Sequence, residues 1–113
     1  MQELEILEIL LNDSTSYNLV FVVVVEIQLK KGMEEEFKKW VGESNKDLSK
    51  FDGFINRRLL QSHAGKHLIL VEFESLEKFE KMHQTQEHHQ IQSKGHSMME
   101  IPPKPMFYNV VSN

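Results

Sequence analysis

Cysteine is absent from all 113 residues, which removes disulfides, thiolate nucleophiles and cysteine-based zinc or iron–sulfur sites from consideration. Proline and glycine are sparse, at three and five residues, and no glycine-rich phosphate-binding loop occurs. No apolar run approaches the roughly 20 residues a membrane helix needs. The longest, Leu19 to Val25, has the length of a strand. Positive charge is also in deficit: 13 Lys and Arg against 17 Asp and Glu leave a net charge of −4, with no electrostatic reason to bind nucleic acid or anionic lipid. The first residues carry Glu3, Glu5 and Glu8 rather than the basic region of a signal peptide, so a cytoplasmic location is expected.

What is present suits a single globular domain: 40% hydrophobic and 27% charged residues in a chain of one-domain length. Residues 1–18 read as an N-terminal extension, a short helix over 1–11 followed by the polar loop Asn12 to Ser16, and the domain proper spans 19–113. Leu19 to Leu29 is valine-rich, first continuous and then alternating, which predicts a central strand. After Lys30-Lys31-Gly32, apolar residues at 33, 37, 40, 41, 48 and 51 follow the helical period, and Glu34 to Glu36 favour a helix N-terminus. Phe51-Asp52-Gly53-Phe54 predicts a turn. Phe54 to Gln61 and His67 to Glu74 then read as a hairpin. Ser75 caps a second helix, which Thr85 is able to cap afresh before His88. Pro102, Pro103 and Pro105 lead into a last strand over Met106 to Val111. The order β–α–β–β–α–β is that of an α+β ferredoxin-like fold, a four-stranded antiparallel sheet with two main helices. A first strand apolar on both faces, with helices enough to cover only one, predicts a homodimer.

The segment VEFESLEKFEKMHQTQEHHQI, residues 71–91, places Glu72 and Phe73 at a strand end and His83 and His88 on the helical segment that follows. With the opening VVVVEIQLKKGMEEEFKKW and the turn KFDGF, it resembles the antibiotic-biosynthesis monooxygenase family over about residues 19–111. Phe73 stands where that family often has tryptophan, and Glu87 where proline is common. The resemblance implies a dimeric α+β barrel with a pocket between sheet and helices in each protomer. It also implies oxygenation of a small aromatic or quinone-type molecule by dioxygen without metal, flavin or haem. An electron-rich phenolate can itself reduce oxygen, so the protein need only bind, deprotonate and shield it. His83 and His88 are the catalytic candidates, since a histidine titrates near neutrality.

Each has a plainer reading beside the functional one, His83 as a solvated helix residue and His88 as a residue supporting the Thr85 cap. Trp40, Phe37, Phe79 and Tyr108 are candidate aromatic walls, although such a stripe is more often core. Asn56, Arg57 and Glu72 sit on strands, where alternate residues face opposite sides. Asn56 and Glu72 join the binding candidates, and a buried Arg57–Glu72 ion pair is an equal alternative to catalysis. Neither His83 and His88 nor His89 and His96 has i,i+4 chelating spacing, so no metal site is expected. Haem-degrading relatives use an Asn, a Trp and a His at positions that fall here on Val25, Met82 and Gln92, leaving only His96 as a displaced ligand. A non-catalytic ligand-binding dimer remains the alternative from another class.

Overall fold

The computed structural model describes residues 19–113, and the helix and loop expected within residues 1–16 lie outside the described residues. The elements are β1 (Phe21–Ile27), α1 (Glu34–Leu48), β2 (Phe54–Gln61), β3 (His67–Phe73), α2 (Leu76–His83), α3 (Gln86–His96) and β4 (Lys104–Asn109). All pairings are antiparallel and the sheet order is β2-β3-β1-β4, so the two most apolar strands occupy the centre of a ferredoxin-like sheet. None of the helices among the described residues is long and apolar enough to cross a membrane.

Residues directly opposite in an antiparallel ladder share a face, so the register sorts every strand side chain. Phe21, Val23, Val25 and Ile27 of β1 pair with Phe73, Val71, Ile69 and His67 of β3, and this face lies under the helices. Val22, Val24 and Glu26 pair with Glu72, Leu70 and Leu68 on the other face, which no element among the described residues covers.

Two apolar clusters fill the space between sheet and helices. Phe21 is the hub of the first: its ring lies 5.1 Å from Phe79 and 5.9 Å from Phe107, while Phe73 meets Phe79 edge-on at 5.6 Å. Fully burying each such ring contributes roughly 1.5–3 kcal/mol. Ile27, Phe37, Trp40, Val41, Ile69, Met98 and Met99 form the second, beneath α1.

Local sequence explains the boundaries. Ser75 caps α2 by accepting from the Lys78 amide at 3.2 Å, as its residue type predicts. Gly53 takes φ +85° in the turn before β2, where a Cβ would also overlap the Lys78 side chain. The last strand begins at Lys104 rather than Met106. Pro105 is tolerated inside it because β4 is an edge strand, where a missing N–H breaks no required ladder bond. The second helical segment is two helices, with Thr85 accepting from the His88 amide at 3.1 Å to start the new one.

Candidate active site

A cavity of about 330 Å³ opens along the seam between the two clusters. Its floor is the helix-facing side of the sheet: Val23 and Val25 from β1, Arg57 from β2, Ile69 from β3, Pro105 and Phe107 from β4. Its roof is Trp40 from α1, Phe79 and His83 from α2, and His88, Ile91, Gln92 and His96 from α3. This is the small end of the usual size range for ligand sites, and the lining is mostly apolar with a few polar groups, as such sites are.

The restart at Thr85 sets the position of the histidines. His83 closes α2 one turn after Phe79, and their rings lie 5.4 Å apart. His88 sits in the first turn of α3, and the change of axis brings its imidazole to 4.7 Å from that of His83, with the planes inclined at 39°. The His88 amide serves the cap while the residue also lines the cavity. His96 lies two turns further along α3 on the same wall, and partial burial lowers its pKa from the ordinary histidine value.

Among the described residues, Arg57 is the one ionised group whose charge is buried here, with 7% of its surface exposed. Its guanidinium lies 4.8 Å from the Trp40 ring centroid. Nε donates to Asn45 Oδ1 at 2.6 Å, and Nη2 donates to the Val41 carbonyl at 3.0 Å and to Ser44 Oγ. Burial pushes its pKa down to about 10. The ion pair with Glu72, weighed as an alternative to catalysis, does not form. Arg57 stands opposite Val71 under the helices, while Glu72 stands opposite Asn56 and Val22 on the other face.

The structure therefore brings together His83, His88, Trp40 and Phe79 among the sequence candidates and separates the rest. Phe37 is wholly enclosed in the second cluster, with its ring 5.0 Å from Trp40 but off the cavity wall. Tyr108, Asn56 and Glu72 all lie on the uncovered face of the sheet. Arg57, weighed with Asn56 and Glu72 as a strand residue, and His96, weighed as a displaced ligand, also line the cavity, as does Gln92. Helical spacing of Gln92 and His96 from His88 carries the signal for two of them, whereas the sequence holds none for the parity of Arg57. At the positions that serve haem-degrading proteins, Val25 and Gln92 line the cavity and Met82 is buried in the first cluster.

Fold and cavity together define a small α+β domain with a ligand-sized hollow between sheet and helices. The sequence model of the antibiotic biosynthesis monooxygenase family matches residues 20–94, more than half of the chain. The protein belongs to that family. Its fold is similar to that of SnoaB, a cofactor-independent oxygenase from Streptomyces nogalater (TM-score 0.73, 9% identity, covering 84% of this chain and 96% of that one). It is also similar to a Nitrosomonas europaea protein carrying the same family description (TM-score 0.73, 16% identity, 83% and 92% covered) and to a conserved protein from Methanosarcina mazei Go1 (TM-score 0.72, 16% identity, 80% and 92% covered). No curated protein matches the chain in sequence.

Proposed function

We propose that this protein is a cytoplasmic homodimeric monooxygenase that oxidises a small hydroxylated aromatic or quinol-type molecule with dioxygen and no cofactor. The observation that carries the reading is the His83–His88 pair, its tilted rings 4.7 Å apart on the wall of an otherwise largely apolar cavity. One imidazole takes the hydroxyl proton, and the neighbouring ring helps to hold its orientation. The resulting phenolate, carrying carbanion character at its para carbon, delivers electrons to dioxygen and forms a carbon–peroxide bond. Loss of the remaining ring C–H proton with cleavage of the O–O bond leaves a second carbonyl and releases water. A phenol and dioxygen thus become a quinone and water, with one atom of the dioxygen in each product. Exclusion of bulk water by the apolar floor and by Trp40 and Phe79 keeps the charged intermediate from side reactions.

Support for the dimer comes from the uncovered face, where Leu60, Met106 and Tyr108 are 41%, 51% and 45% exposed beside half-buried Val22, Val24, Leu68 and Leu70. A second copy placed sheet to sheet would cover this apolar strip.

Oxygen uptake screened over quinols and hydroxylated polycycles, followed by His83→Ala and His88→Ala across pH 5–9, tests the chemistry. Loss of one imidazole is expected to lower the rate roughly 10²–10⁴-fold with the fold intact. Unchanged uptake in both variants would eliminate the pair as the base. Binding without turnover of any compound would leave a ligand-binding module.

A further inference from the structure

Taking a cation out of water is expensive unless something opposite in charge meets it, and buried arginines ordinarily meet carboxylates. Arg57 does not. Its partners in the described residues are a side-chain amide, a hydroxyl, a carbonyl and the face of an indole, all neutral. Among the described residues no aspartate or glutamate lines the cavity, and none forms an ion pair with Arg57. The bonds that tie Arg57 to α1 use Nε and Nη2, and Nη1, with its two N–H groups, makes no hydrogen bond to a described residue. The fork is thus held rigidly by α1 on one side while its other arm remains available in a residue that lines the hollow.

From this arrangement we infer that Arg57 is an anion-recognition residue, and that the cavity takes a small planar aromatic in its oxyanion form, the ring beside Trp40 and the charged oxygen on the free arm of the guanidinium. The ligand's charge supplies the missing counter-ion. The inference deepens the proposed oxygenation by naming its ligand class, but its test is one of binding and is independent of turnover. Among the described residues, the other titratable groups on the cavity wall are His83 and His88, on α2 and α3, and His96 on α3. Glu26, Arg58 and Glu72 belong to the opposite face of the sheet.

Quenching of Trp40, the chain's single tryptophan, reads binding directly. The probes are 4-nitrophenol, which is an anion at pH 9, 4-nitrobenzoate, an anion throughout, and the neutral 4-nitroanisole and nitrobenzene. At pH 9 Arg57 is still charged, since burial lowers its pKa only to about 10. The wild-type protein is expected to bind at least one anion about ten- to a hundredfold more tightly than the neutral probes, in line with a hydrogen bond to a charged group. Arg57→Gln should abolish that preference while leaving neutral binding in place. The ratio of the two anions distinguishes a phenolate from a carboxylate as the group held. Equal affinity for neutral and anionic probes in the wild type overturns the inference, and needs no variant that must fold. So does an anion preference that is strong at pH 6 but gone by pH 9, which would assign the charge to the histidines. Failure of every probe to bind overturns it as well.

Discussion

The imidazoles of His83 and His88 lie 4.7 Å apart although they are five positions apart in the sequence, a spacing that would turn them apart on an unbroken helix. The break makes the contact. Thr85 ends one helix, where its hydroxyl donates to the Met82 carbonyl at 2.8 Å, and starts the next, where the same oxygen accepts from the His88 amide. Replacing Thr85 by Ala is expected to cost about 1 kcal/mol, a fall of several degrees in Tm, whereas Ser should retain most of it. Thermal denaturation gives the stability term. Histidine ring NMR shifts give the accompanying separation of the pair, which should appear in the Ala variant alone.

Gly95 is buried on α3 directly against the Trp40 indole, so close that a Cβ there would overlap the ring. Alanine is ordinarily the better helix former by up to about 1 kcal/mol. Here overpacking wins, and Gly95→Ala should lower stability by about 1–3 kcal/mol in urea titration, with a shift in Trp40 emission as the indole is pushed into the cavity.

Burial holds the His96 pKa below its unfolded value, so the unfolded chain binds more protons than the folded one as pH falls through that interval. The contribution of His96 is therefore fully present above about pH 6.5 and declines below it as the unfolded chain gains its proton. Because His96 is largely exposed, the effect should be small. His96→Gln is expected to flatten the Tm–pH curve between pH 7 and 5, and an unchanged slope would assign the acid sensitivity elsewhere.

The uncovered sheet face gives a further test. Met106→Glu places a charge at the middle of β4 on the side away from the helices, opposite Val24. Sedimentation equilibrium should show the wild type at twice 13.3 kDa and the variant at 13.3 kDa, with unchanged far-UV circular dichroism. A wild-type monomer at micromolar concentration would remove the dimer.

The sequence by itself determined the elements. Valine-rich β1, the helical period of α1, the Ser75 cap and the Thr85 restart are local consequences of side-chain shape and backbone hydrogen bonding, read within a few residues of where they act. Strand order followed, because the most apolar strands must be central. Tertiary structure alone decided which face each strand residue took. Asn56 and Arg57 are neighbours, yet one stands in the uncovered face and the other beneath α1, and a one-residue change of register would exchange them. The sorting of Tyr108 and Glu72 away from the histidines has the same origin. So has the placing of Arg57 over Trp40 and among the carbonyl, hydroxyl and amide of α1, since no local pattern records which residue of a distant helix will stand above a given rung of the sheet.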